Sequence, residues 1–143
     1  MTISAKIYNS VTAIPVDDWR WQPYFSPKEM ACSHCGKVAV EPRFMDKLLA
    51  ARILADFPFI VTSGYRCPEF DAQIGGKGPH TTGEAVDIAL RGEQAQVAIR
   101  IFLEAGFMGL GVKQSGADRF IHIDTLDEGR FPDHPRPWVW SYR

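Results

Sequence analysis

The stretch that decides the fold is His80-Thr-Thr-Gly-Glu-Ala-Val-Asp87-Ile-Ala-Leu90. Residues 84–90 read as a β-strand, because successive side chains of a strand point to opposite faces. Val86, Ile88 and Leu90 form one apolar face that belongs to a core. Ala85, Asp87 and Ala89 form the other, where a carboxylate stands between two side chains small enough to leave space around it. Residues 119–125 repeat the arrangement. Ile121 and Ile123 share one face; Phe120, His122 and Asp124 share the other. If the two strands pair, Asp87 and His122 converge, and His80 reaches them from the preceding loop.

The rest of the chain supplies the elements around this pair. Within an irregular segment 1–24, residues 6–14 look strand-like. Ser26-x-x-Glu29 is a capping box and predicts a short helix over 27–31. Pro42 suits the first turn of a longer helix, whose Met45, Leu48, Leu49 and Ile53 form a core stripe at helical spacing. Residues 59–62 predict a buried strand and 68–74 a short helix. Residues 75–82, with three Gly and a Pro, predict a loop. A second good helix runs over 92–105, with Val97, Ala98, Ile101, Phe102 and Ala105 inward and Gly106 as its stop. Residues 107–112 add a strand. A few strands with two main helices predict a compact α+β domain, a small antiparallel sheet with flanking helices.

Composition bounds the function. The 143 residues make one domain, with 45% hydrophobic and 23% charged residues, which excludes disorder and a long coiled coil. Sixteen Lys and Arg against 17 Asp and Glu give a net charge of −1, which argues against a nucleic-acid partner. No apolar run approaches the ~20 residues of a membrane span. Met1–Ser10 lacks the basic and apolar regions of a secretory signal, so synthesis in the cytoplasm is expected.

Two imidazoles and one carboxylate suit a catalytic zinc ion with an open fourth position for water. Spacing alone leaves a second description open: two structural histidines and an ordinary strand Asp. Cys32-x-x-Cys35 has the spacing of half a zinc knuckle, and Cys67 is the only obvious further thiol. The reading is reduced thiols packed near one another; a disulfide from Cys67 to Cys32 or Cys35, and a second metal site, are the alternatives. Trp138, Trp140 and Tyr142 alternate as on one face of a strand. That pattern reads as a terminal edge strand packed on the core, or else as a platform for glycan rings. His134 reads as a surface residue that reaches the metal only if the tail folds back.

Ser63-Gly64-Tyr65-Arg66, Gly75-Gly76, His80-x-x-Gly83-x-Ala85-x-Asp87-Ile88 and Phe120-Ile121-His122-Ile123-Asp124 together resemble the M15 family of zinc peptidases. The resemblance is strongest to its small D-alanyl-D-alanine carboxypeptidase-like members, common in phages and prophages. It implies a hedgehog/DD-peptidase-like fold, with a motif-bearing core over about 25–125 and a Trp-rich tail over 126–143. It implies Zn2+ held by His80, Asp87 and His122, and Arg66 holding a substrate carbonyl or carboxylate. The implied activity is hydrolysis of a peptide bond of the peptidoglycan stem peptide by metal-activated water, of carboxypeptidase or endopeptidase type. The implied partner is the stem peptide, with no nucleic acid or membrane, acted on by a monomer. Delivery to the wall is expected by lysis-linked release or as a virion component. Two departures matter. Gly78 stands where many relatives have Ser, and Arg119-Phe120 stand where several branches have an acidic residue and Trp. The general base therefore falls to Asp118 or Asp124, which share the His122 face, with Glu84 a third option; Asp124 could instead orient a ligand. Because of the departures, a catalytically inactive, metal-stabilised structural or wall-binding domain is the alternative function.

Overall fold

The computed structural model describes residues 5–143; residues 1–4, part of the segment read as irregular, lie outside the described residues. The predicted strand pair forms the centre of a five-stranded mixed sheet. β3 (Ile60–Ser63), β4 (Ala85–Ala89), β5 (Gly109–Lys113), β6 (Phe120–Asp124) and β7 (Trp138–Ser141) stand in the order β3-β4-β6-β5-β7. All neighbours are antiparallel except β5 and β7, which run parallel. A separate two-stranded sheet pairs β1 (Lys6–Tyr8) with β2 (Val38–Val40).

Register turns the alternation of single strands into two faces. Val86, Ile123, Leu110 and Val139 lie in one row, and Ile88, Ile121 and Val112 in the next. This is the core face. Its buried members pack with Phe44, Met45 and Leu48 of α2 (Pro42–Ala55) and Ala98 and Phe102 of α4 (Gly92–Glu104) in one cluster. The opposite face carries the row Ser63, Asp87, His122, Gly111, Trp140 and the row Ala85, Asp124, Gly109, Trp138. Almost every ionisable group of the sheet thus lies on one side, and the apolar branched residues on the other.

The short helices are as the capping signals predict. α1 (Pro27–Met30) has both hydrogen bonds of the Ser26–Glu29 capping box, and α3 (Pro68–Gln73) starts at a proline. Some details differ from the sequence reading. Ile53 is 54% exposed, because five residues from Leu48 place it about 140° around α2; Phe44 and Ala51 complete the buried stripe instead. β3 is an edge strand with Ile60 exposed and Val61 buried, not buried throughout. The strand-like 6–14 segment pairs only over its first residues, then turns into a short 3-10 helix at Val11–Ala13. β2 has three residues, too few to show a period. Among the described residues no helix is long and apolar enough to cross a membrane.

Candidate metal centre

His80, Asp87 and His122 meet as the strand pairing requires. Asp87 and His122 are direct cross-strand partners on β4 and β6. His80 sits in a 3-10 turn, Pro79–Thr81, that packs against β4. All three are buried. His80 Nε2 lies 3.2 Å from Asp87 Oδ1, His122 Nδ1 lies 3.0 Å from the same oxygen, and the two ring nitrogens are 3.3 Å apart.

The outer nitrogen of each ring decides what the inner one offers. His80 Nδ1 is 2.8 Å from the carbonyl oxygen of Gly64, which can only accept, so Nδ1 carries the hydrogen. His122 Nε2 is 2.8 Å from Asp124 Oδ2 and donates to that carboxylate. Both inner nitrogens therefore direct lone pairs at one point, together with Asp87 Oδ1. Three acceptors facing one another require a cation or protons between them. Ligands at ~2.0–2.1 Å from a tetrahedral zinc ion lie ~3.3 Å from one another, so the observed spacings fit such an ion.

Electrostatics agree with this arrangement. Burial pushes the Asp87 carboxyl up, but hydrogen bonds from His122 and His80 outweigh it and hold the group below the usual carboxylate range. Burial likewise opposes charge on His122, yet Asp124 and Asp87 on either side raise its pKa.

Asp124 is fully buried and acts through His122. Besides that ring it accepts Nε and Nη2 of Arg136 at 2.9 and 2.8 Å and the backbone N–H of Leu126 at 3.3 Å. Such a carboxylate–histidine contact fixes the tautomer and ring orientation of a metal ligand. Asp124 is thus placed to orient His122. Arg66 also reaches the cluster. Its Nε donates to Ser63 Oγ at 2.9 Å, Nη1 to Asp71 Oδ1 at 3.0 Å, and Nη2 approaches Asp87 Oδ2 at 3.5 Å. Asp71 also accepts the Gly78 N–H, so one buried carboxylate holds both Arg66 and the Gly-rich loop.

The structure does not bring Asp118 to this cluster. It is exposed and lines a separate cavity with Ala89, Leu90 and Arg119, so a regular strand does not carry the His122 face back that far. The carboxylate of Glu84 is occupied by a two-pronged contact with Arg130 and by Thr125. The tail, by contrast, does fold back. Asp133, His134, Arg136, Trp138, Trp140 and Tyr142 line a cavity of about 590 Å³ together with Arg66, His80, Asp87 and His122. β7 is the expected edge strand, but its aromatic stripe faces the cavity rather than the core: the Trp140 ring packs 5.0 Å from His122, while Trp138 stays 55% exposed at the rim.

Arg136, Asp71 and two glycines are the site residues that sequence reading missed. Gly109 and Gly111 lie in the site rows of β5, where a side chain would fill the space of Asp124 or Trp140. Their spacing of two, on the strand beside His122, was the available signal; nothing in the spacing of Arg136 marks it. A Cβ at Gly109 would lie 2.3 Å from Asp124 Oδ1, so Gly109→Ala must displace a carboxylate held by four hydrogen bonds. We expect a loss of about 2 kcal/mol in denaturant unfolding, with weakened metal binding. Unchanged metal affinity would show that Asp124 does not position His122.

No curated protein matches the chain. Residues 23–124 match the family described as Peptidase M15. That span covers most of the chain and includes Arg66, His80, Asp87, His122 and Asp124, so the convergence of ligand atoms falls within the matched region. The chain belongs to the Peptidase M15 family of metallopeptidases.

Proposed function

We propose that this protein is a zinc-dependent peptidoglycan peptidase that hydrolyses a peptide bond of the cell-wall stem peptide. The observation that carries the reading is the convergence of three lone pairs, from His80, Asp87 and His122, in the floor of an open cavity that Arg66 also lines. These three residues would hold the ion, and the open side of the cavity leaves a further position for substrate. When bound, zinc supplies a Lewis acid that polarises the scissile carbonyl and lowers the pKa of the attacking water.

The chain's own groups do the rest. Arg66 presents a planar, permanently charged guanidinium, already aligned by Ser63 and Asp71, to a substrate carbonyl or terminal carboxylate. Trp138, Trp140 and Tyr142 form one aromatic wall of the cavity. Lys77 stands in the lining near Arg66, where it can meet a carboxylate of the stem peptide. The tail supplies the proton carrier. His134 lines the cavity, and its Nε2 lies against Gly78, two residues from His80. An imidazole there can take a proton from the attacking water and return it to the leaving amine.

The test is incubation of the zinc-loaded protein with purified sacculi or muropeptides and mass spectrometry of the products. A stem shortened by its terminal residue identifies a carboxypeptidase; a new amine within the stem identifies an endopeptidase. Intact muropeptides with zinc stoichiometrically bound would refute the enzyme and favour a metal-stabilised wall-binding domain. In the same assay His134→Ala should lower kcat about a hundredfold with little change in KM. An unchanged kcat would remove His134 from the reaction.

A further inference from the structure

A second cluster of ligand-type atoms shares no residue with the first. Cys32 and Cys35 flank a turn after α1, and Cys67 stands at the start of α3, with α2 and β3 between them in the chain. The fold nevertheless brings their sulfurs within 4.8 Å of one another, and all three are free thiols. A zinc ion with Zn–S distances of ~2.3 Å in tetrahedral geometry needs sulfurs ~3.8 Å apart.

The backbone around these sulfurs is arranged for thiolates. The turn Cys32-Ser-His-Cys35-Gly36 closes with the Gly36 N–H donating to the Cys32 carbonyl at 2.9 Å and the Cys32 N–H donating to the Lys37 carbonyl at 2.8 Å. It needs Gly36 at φ 78°, a left-handed conformation that glycine adopts without a Cβ penalty. The N–H of Cys67 donates to Cys32 Sγ from across the fold at 3.3 Å. A backbone N–H donated to a sulfur favours the anionic thiolate, the form that binds metals.

His34 stands beside the three sulfurs, near Cys67 and outside the set of mutually close ligand atoms. Its Nδ1 lies 3.6 Å from Cys67 Sγ, and its ring is held by stacking on Phe70 at 5.4 Å with an interplanar angle of 1°. A disulfide would use two of the three sulfurs and leave the third sulfur and the imidazole without a role. A metal ion uses all three sulfurs, with the His34 ring beside them.

We infer that Cys32, Cys35 and Cys67, with His34 as the fourth ligand, form a structural site for a thiophilic divalent metal, zinc by preference. It is distinct from the cluster at His80 and does not depend on the peptidase reading. Cys67 directly follows Arg66, so the ion staples the turn after α1 to the segment that aims the guanidinium into the cavity.

The experiment is titration of reduced, metal-free full-length protein with Co2+, followed by absorption and metal analysis, then displacement by Zn2+. A sulfur-to-cobalt charge-transfer band in the near ultraviolet is expected, since the His80, Asp87 and His122 set contains no sulfur. Cys35→Ser changes an exposed residue and so keeps the fold, checked by circular dichroism; it should bind one equivalent fewer and lose most of the band. His34→Ala should keep a band but bind Co2+ at least tenfold more weakly. Zinc should also protect Cys35 from a maleimide until a chelator is added, although it is exposed in the metal-free chain. Absence of the thiolate band in the reduced wild-type protein would overturn the site. So would equal maleimide labelling with and without zinc. Unchanged affinity in His34→Ala would overturn the fourth ligand.

Discussion

His122→Ala should abolish peptide cleavage, lowering kcat/KM by about 10³ or more, and should remove metal from the centre. The imidazole does three things at once. It offers Nδ1 to the shared point, donates Nε2–H to Asp124, and lies in contact with Trp140 in the cavity wall. Losing one of three ligands leaves a weak two-ligand site. The transition-state stabilisation lost with the ion amounts to several kcal/mol, and each 1.36 kcal/mol is a factor of ten in rate. Because Ala also leaves Asp124 and Asp87 without the ring between them, the fold must be checked separately. Asp87→Asn preserves shape and most packing while removing the anionic ligand, and it should lose activity to a similar extent. Cleavage by either variant near the wild-type rate would refute the metal assignment. Zinc content of the purified variants provides the second readout.

Arg136→Ala should have the largest effect on stability, about 3 kcal/mol in denaturant unfolding. Asp124 is fully buried, and Arg136 covers it with two hydrogen bonds while its guanidinium lies 5.1 Å from the centre of the Trp140 ring. Removing one partner of such a pair leaves a buried carboxylate without its main counter-charge, which costs more than the pair contributes when intact. The same contact ties the tail to β6, so β7 and its aromatic wall should loosen and activity should fall with stability. Acid dependence gives an independent check. Burial alone would raise the Asp124 carboxyl, but the His122 hydrogen bond and Arg136 bring it down to about 2. A carboxyl with a depressed folded-state pKa contributes stability above its unfolded value of about 3.9, and that contribution disappears as pH falls towards the folded value. In the metal-free wild-type protein this carboxyl should therefore account for about 2 kcal/mol of the stability lost between about pH 4 and pH 2. In Arg136→Ala the loss should begin at higher pH, measured as urea midpoints in the presence of chelator. Identical pH profiles would show that Arg136 does not set the ionisation of Asp124.

The legible part of the site was local. Alternation in residues 84–90 and 119–125 placed Asp87, His122 and Asp124 on the faces where they are found, because strand geometry allows only two directions for a side chain. The glycine-rich loop carries His80 to them, as the motif suggested. What was not legible came from segments with no period of their own. Asp118 precedes β6 and points into another cavity, since alternation ends where the strand ends. Arg136 sits between two prolines, so no regular spacing relates it to Asp124. The Cys pair looked like half a motif because the third sulfur joins it only where β3 delivers Cys67.

By itself the sequence determined the α+β class, the strand pair that carries the ligands, the capping of the short helices and the family. The first three follow from periodicity or from capping signals within a few residues, where covalent geometry limits the answer; the family follows from the resemblance of an ordered set of motifs between residues 63 and 124. Only the tertiary structure decided that β7 closes the sheet parallel to β5 and brings Trp140 onto His122. It also decided that Arg136 neutralises Asp124 and that the tail lines the cavity. Each of these contacts joins groups on different segments, and the burial of charge and apolar surface that selects them is a property of the whole packed chain rather than of any stretch of it.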